Sequence, residues 1–251
     1  MDKQLVDRNP SAVQRAAGDL RAMALAREEG EHLGSEEELM TLLRISRPTL
    51  RQAAALVSQD QLIRIRRGVN GGYFATMPTS MSVARMAAIY LRSRDSDLRD
   101  IVRAISPIRT ELARLAARNR DGEAVRMIED FLEGERRLGD GEVDYRAFLR
   151  AERAFGRVLG AASGNEVLSL FLAIVYDLSA LIGPDEDVYI HRPERVESYR
   201  MLRNRMAQAI LEGDEELAVI ATRRCSAVVA EWMEEDVADR GFMSPEIDGF
   251  D

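Results

Sequence analysis

Six arginines lie close together in the N-terminal third of the chain. Between residues 44 and 67 they face one acidic side chain, Asp60, and they are Arg44, Arg47, Arg51, Arg64, Arg66 and Arg67. Guanidinium groups bind phosphates and the edges of guanine bases, and phosphate contacts supply most of the affinity of a protein for nucleic acid. The same residues could also form a solvated, salt-bridged face, so the surrounding motifs must decide between the two.

The charge is unevenly distributed along the chain. The 251 residues carry a formal net charge of −8. Residues 1–78 hold 11 Lys and Arg against 10 Asp and Glu, whereas residues 79–251 hold 24 against 33. A basic cluster inside an acidic protein is what a nucleic-acid surface requires.

Few residues of this chain could support catalysis or bind a metal. It has two histidines, His32 and His191, and one cysteine, Cys225. There is no G-x-S-x-G motif, P-loop or Cys–His pair, so we expect neither an enzyme nor a cofactor. The polar N-terminus predicts no signal peptide, and the most apolar stretch, residues 167–182, is too short to span a membrane. We therefore expect a cytoplasmic protein without membrane contact.

The arginines lie on elements that the sequence predicts in a recognisable order. Residues 35–38 form a capping box that opens a helix ending near Leu43. Ser46 then caps a second helix, with Pro48 in its first turn. Two short helices three or four residues apart have the spacing of a helix-turn-helix motif. Its second helix would present to DNA the side chains of Arg47, Thr49 and Arg51.

A basic β-hairpin is predicted next. Residues 62–67 form a strand, residues 68–72 a glycine-rich turn and residues 73–75 the return strand. A glycine tip would let the backbone approach DNA closely, and flanking arginines suit the minor groove. The hairpin residues expected to contact DNA are Arg66, Arg67, Asn70, Gly71 and Gly72.

The remainder of the chain is predicted to be helical. A Pro/Ser/Thr stretch near residue 78 predicts a linker, which gives a DNA-binding domain at 1–78, an all-helical domain at 79–240 and an acidic tail at 241–251. Apolar spacing and turn residues predict seven helices, at residues 81–93, 97–119, 122–138, 143–162, 166–182, 193–212 and 214–236. The predicted fold class is mainly α, with a small β-hairpin wing.

Residues 33–75 closely resemble the winged helix-turn-helix domain of the GntR family of bacterial transcription regulators. The matching motifs are L-x-S-E-x-E-L, S-R-x-T-x-R-x-A and the wing G-V-N-G-G-Y-F. The resemblance implies that Ser46, Arg47, Thr49 and Arg51 contact phosphates and bases, and that the wing around Gly71 probes the minor groove. Many relatives carry an operator-contacting arginine where this chain has Glu37, so we expect a different operator sequence.

The helical part is similar to the FCD-type ligand domain of the FadR-like branch of that family. The similarity rests on A-A-S-G-N at 161–165 and A-I-L-E-G-D-x-x-x-A at 209–218. It implies an antiparallel helical bundle that dimerises, encloses a ligand cavity and responds to a small-molecule effector.

Many members of that branch hold a divalent metal through one Asp and three His residues. This chain has Glu152, Gly156, Arg203 and Cys225 at the corresponding positions, which is a poor ligand set, so we expect no metal. Arg203 would either form a buried ion pair with Glu152 or grip a carboxylate or phosphate of the effector.

The sequence thus predicts a repressor that binds a pseudo-palindromic DNA operator as a homodimer. Its metal-independent effector site would bind a carboxylate or an acyl ligand through Arg109, Glu152, Tyr199 and Arg203. In the alternative, the helical domain only dimerises or contacts protein partners and no longer senses a ligand. A cavity with convergent polar groups would favour the first function, and a cavity filled by side chains the second.

Overall fold

The structure, a computed structural model, describes residues 10–68, 70–138, 144–182 and 188–242, with the side chains of the last helix as far as residue 237. The chain divides after Thr79 into two units. Helices predominate in both, so the predicted mainly-α fold class is confirmed.

Three helices and three short strands build the N-terminal unit. They are α1 (Ala12–Leu25), β1 (His32–Gly34), α2 (Glu36–Leu43), α3 (Arg47–Gln59), β2 (Ile63–Arg66) and β3 (Gly72–Ala75). The apolar faces of the helices meet in a core that contains Leu20, Leu39, Leu50 and Val57, each almost fully buried.

The helix-turn-helix motif is confirmed in its local chemistry. The Ser35 hydroxyl accepts a hydrogen bond from the Glu38 amide while the Glu38 carboxylate accepts one from the Ser35 amide, which is the predicted capping box. Arg44 has a φ of 53° and ends α2 in the left-handed region. This conformation turns the chain tightly, and Ser46 then caps α3.

The sheet has the strand order β1-β3-β2, and both pairs are antiparallel. The predicted hairpin is present, with Arg66 opposite Gly72, although Val69 of its turn lies outside the described residues. A Cβ atom at Gly71 would lie 2.6 Å from the Arg66 carbonyl oxygen, so the turn itself requires glycine there. Strand β1 was not predicted, because its three residues show no alternation of their own and pair only with β3.

Seven helices form the described part of the second unit. They are α4 (Ser80–Arg92), α5 (Leu98–Arg118), α6 (Gly122–Leu138), α7 (Tyr145–Ser163), α8 (Glu166–Ile182), α9 (Pro193–Glu212) and α10 (Glu215–Phe242). The predicted bounds agree within about two residues except at the last helix, which continues to Phe242 instead of ending at 236. Of the predicted tail at 241–251, only its first two residues are described, and they are helical; residues 243–251 lie outside the described residues.

Helix α5 lies at the centre of this bundle and packs against α7, α8, α9 and α10. The core around it contains Leu112, Phe148, Phe155, Leu159 and Met206, all at most 1% exposed. These five helices also supply most of the polar side chains that line the cavity of this unit.

Candidate functional site

The N-terminus of α3 carries four of the nine residues predicted to contact DNA. The Ser46 hydroxyl lies 2.9 Å from the Thr49 hydroxyl and accepts a hydrogen bond from the Thr49 amide. Ser46, Arg47 and Arg51 are exposed, and Thr49 is half-buried. Free amide groups and the helix dipole make such a helix end favourable for a phosphate.

A single carboxylate contacts both arginines of this surface. Arg47 Nε lies 2.6 Å from Glu36 Oε1, and Arg51 Nη2 lies 3.3 Å from the same oxygen. Sequence reasoning missed this contact because Glu36 belongs to the preceding helix, where it counted only as part of a family motif.

The wing presents its predicted DNA contacts in different ways. The Arg66 guanidinium lies 4.5 Å from the centroid of the Phe74 ring, a cation–π contact that orients it. Arg67 is exposed and forms no ion pair with a described residue. Asn70 is also exposed, with a φ of 65° that asparagine tolerates better than most residues.

A cavity of about 350 Å³ lies within the helical unit. This volume falls in the range of small-molecule sites. Apolar walls come from residues that include Leu98, Val102, Ile105, Val229 and Met233. The polar and aromatic lining comprises Arg109, Tyr145, Glu152, Arg153, Tyr176, Ser179, Tyr189, Tyr199 and Ser226. Three of the four predicted effector residues therefore line one cavity.

Glu152 on α7 is the centre of the polar wall. Its Oε1 lies 2.9 Å from Arg109 Nη1 and accepts hydrogen bonds from the hydroxyls of Tyr199 at 2.8 Å and Tyr176 at 3.2 Å. Arg109 Nη1 also donates to Tyr199 at 2.6 Å. Side chains from three other helices, α5, α8 and α9, thus donate to one carboxylate oxygen on α7.

The fourth predicted effector residue, Arg203, lies behind this wall. It is fully buried and does not line the cavity. Its Nη1 lies 3.2 Å from Glu152 Oε2 and its Nη2 lies 2.8 Å from Glu135 Oε2, an oxygen that also accepts from Arg200. The geometry therefore favours the ion-pair alternative for Arg203. We call Arg109, Glu135, Glu152, Arg200 and Arg203 the buried charge cluster.

Glu152 keeps its negative charge in the folded protein. Burial would raise the pKa of Glu152, but Arg109 and Arg203 outweigh burial and hold that pKa below its ordinary value. Burial raises the pKa of Tyr176 to about 12, so its hydroxyl stays protonated and can donate. Three arginines face two glutamates, which leaves the cluster with one net positive charge.

Two cationic groups remain available to a ligand. Arg109 makes its hydrogen bonds to described residues through Nη1 alone, which leaves Nη2 unengaged. Arg153 is exposed, lines the cavity and forms no ion pair with a described residue. Sequence reasoning missed Arg153 because nothing in its local pattern distinguishes it from other exposed arginines.

Glu135 was also missed, although the sequence carried a signal for it. It continues the apolar spacing of Ala124, Ile128 and Leu132 on α6, so its carboxylate had to face the core. A buried carboxylate requires a cationic partner, which is what Arg200 and Arg203 provide.

Four positions of this chain correspond to the metal ligands of the FadR-like branch, and the residues at these positions do not fit a metal. A Cβ atom at Gly156 would lie 2.6 Å from the Tyr176 ring, and Arg203 adds a positive charge beside Glu152. Cys225 is fully buried, and burial raises the pKa of its thiol. In the described part of the chain, no three His, Cys, Asp or Glu side chains converge to hold an ion.

None of the described helices is both long and apolar enough to cross a membrane.

Residues 100–227 match the FCD domain family. The chain is 26% identical over 181 residues to the HTH-type transcriptional repressor NanR of Edwardsiella tarda, covering 69% of this chain and 68% of that protein. It is 28% identical over 185 residues to the NanR of Escherichia coli O127:H6, covering 71% and 68%.

A solved structure agrees with the fold. The Streptococcus agalactiae GntR structure superposes with a TM-score of 0.68 at 18% identity, covering 87% of this chain and 99% of that one. At this identity the likeness shows the fold alone.

Proposed function

Because this chain belongs to the FCD-domain branch of the GntR-family transcription regulators, which are not enzymes, we propose that it is a ligand-responsive repressor. It binds a pseudo-palindromic operator in double-stranded DNA as a homodimer, and the cytoplasm is the proposed compartment. The N-terminus of α3 enters the major groove, where Ser46, Arg47, Thr49 and Arg51 contact phosphates and bases. The wing residues Arg66, Arg67, Asn70, Gly71 and Gly72 reach the adjacent minor groove.

The cavity in the helical unit is the observation that carries the ligand-responsive part of the proposal. Arg109, Glu152 and Tyr199 are hydrogen-bonded to one another and together line the open cavity. A domain that served only for dimerisation would have no need of a buried charge facing an empty volume, because desolvating that charge costs free energy. The cavity therefore supports effector binding over the dimerisation-only alternative.

The proposed effector is an organic anion that binds without a metal. The unengaged Nη2 of Arg109 and the exposed Arg153 can both donate to a carboxylate. Apolar walls such as Val102 and Met233 accommodate an aliphatic or aromatic body, as in an acyl ligand. Arg203 fixes Glu152 from behind and acts on the effector through that carboxylate.

Release from DNA follows from differential binding. An effector shifts the two DNA-binding units only to the extent that it binds one arrangement of the dimer better than the other. Glu152 on α7 links Arg109 on α5, Tyr176 on α8 and Arg203 on α9, so an anion at Arg109 acts on four helices at once.

A pair of dyes tests the anion site. Anilinonaphthalene sulfonate carries one negative charge, and phenylnaphthylamine has similar rings without it. We expect Arg153→Ala to weaken binding of the sulfonate by about fivefold or more and to leave the uncharged dye unchanged, because only a charged hydrogen bond is lost. EDTA should change neither affinity.

The matched control is Arg126→Ala, which removes an exposed arginine of α6 away from the cavity. An equal loss of both dyes in the Arg153 variant, or loss of sulfonate binding in EDTA, would contradict a metal-independent anion site.

A further inference from the structure

Glu36 occupies a special position on the proposed DNA surface. It is the first residue of α2, and its side chain is 29% exposed, whereas those of Arg47 and Arg51 are 53% and 65% exposed. No other acidic residue forms an ion pair with either arginine among the described residues. One carboxylate therefore sets the position of both side chains proposed to read DNA.

The contacts use one particular edge of each guanidinium. Glu36 Oε1 lies 2.6 Å from Arg47 Nε, and its two oxygens lie 3.3 Å from Nη2 and 3.4 Å from Nε of Arg51. Both amino groups of Arg47 and Nη1 of Arg51 make no hydrogen bond to a described residue. The terminal edge of Arg47 is thus free, and that edge can donate two parallel hydrogen bonds to guanine.

We propose that Glu36 is a specificity-determining residue. It orients Arg47 and Arg51 for contacts with bases and weakens their non-specific binding to phosphates. The inference rests on the proposed function of this surface as an operator contact. A phosphate attracts a guanidinium mainly by charge, and the Glu36 charge offsets that attraction. A guanine instead offers two acceptors to the guanidinium edge of Arg47 that Glu36 leaves free. The Glu36 charge therefore reduces the free energy of binding to a guanine less than that of binding to a phosphate.

Glu37 provides a matched control on the same helical turn. Its side chain is exposed and makes no hydrogen bond or ion pair with a described residue. Glu36→Gln and Glu37→Gln each remove one negative charge from the first turn of α2, so their effects through the helix dipole are alike. Only Glu36→Gln removes the charge that holds the two arginines.

The test measures dissociation constants by fluorescence anisotropy across a salt series, with the 251-residue wild type and both variants. The probes are a random-sequence duplex and the duplex that the wild type selects from that random pool. We expect Glu36→Gln to bind the random duplex roughly fivefold to tenfold more tightly at 0.1 M salt, with a log–log salt slope steeper by about one for each phosphate gained. Glu37→Gln should change that affinity by less than about twofold.

The ratio of selected to random affinity should fall in Glu36→Gln and remain near the wild-type value in Glu37→Gln. An unchanged or weaker random-duplex affinity in Glu36→Gln, or equal effects of the two variants, would overturn the proposal. If the wild type selects no sequence, the proposed operator function fails. The random-duplex comparison then still decides whether Glu36 restrains the arginines.

Discussion

Arg203 is one of the largest fully buried side chains of the helical unit. Its guanidinium is fully buried between Glu135 and Glu152, so its removal leaves two carboxylates without their shared partner. Glu135 keeps Arg200 and Glu152 keeps Arg109, so the cost is that of two lost buried charged contacts, each worth about 1.5–3 kcal/mol.

Arg203→Met should therefore lower the free energy of unfolding by about 3–5 kcal/mol, measured by urea denaturation. Arg126→Met, at an exposed position on α6, should change it by less than about 0.5 kcal/mol. A stable Arg203 variant would show that the residue serves the ligand and not the fold.

Residue-level prediction from the sequence succeeded where a residue type was incompatible with its setting. An arginine at a metal-ligand position pointed to a partner, and Glu152 is that partner. The second carboxylate that pairs with Arg203, Glu135, lies on α6, far from Arg203 in the sequence. Only its place in the apolar spacing of that helix pointed to it. Tyr176 gave no signal, because one tyrosine in an apolar helix is compatible with simple packing.

At the scale of elements, α7 and α8 pack closely through glycine. A Cβ atom at Gly160 would overlap the Ser169 hydroxyl and lie 2.8 Å from Ser169 Cβ. Gly134 on α6 has nothing within 4 Å of the same atom. The two positions separate the effect of packing from the effect of helix propensity.

Gly160→Ala should lower the free energy of unfolding by about 1–3 kcal/mol, because α8 must move away from α7. Gly134→Ala should raise it by about 0.5–1 kcal/mol, because alanine loses less conformational entropy in a helix. Thermal or urea denaturation measures the free energy of unfolding of both variants. Changes of the same sign in the two variants would contradict the close packing of α7 against α8.

The helices could be placed from sequence because caps, glycines and apolar spacing all agree along this chain. Ser46, Gly164 and Gly213 each mark a helix end where the backbone needs it. The end of α10 could not be placed, since no glycine or proline follows residue 236 until Gly241. The position of β1 depends on pairing with β3, which local sequence does not encode.

At the scale of the whole molecule, the proposed homodimer needs an apolar face. Helix α4 carries Val83, Met86, Ile89 and Tyr90 at helical spacing, between 46% and 70% exposed, while its Ala84 and Ala88 are buried. A row of exposed apolar side chains opposite a packed face is typical of a protein–protein contact. We propose that a second copy of this chain covers it.

Met86→Glu should shift the protein from dimer to monomer in sedimentation equilibrium, because a charge would be buried in the contact. Met201→Glu, on the exposed side of α9, should leave the dimer intact. A dimer that persists in the Met86 variant would assign dimerisation to another surface.

We propose that this chain selects an operator through α3 and the wing. The most direct measurement is to incubate the purified protein with fragmented genomic DNA from its source and to sequence the retained fragments. We predict enrichment of a short palindrome with two half-sites, and loss of that enrichment in the Arg47→Ala/Arg51→Ala variant. Retention by the wild type that does not exceed a shuffled-sequence control would show that this chain does not select an operator.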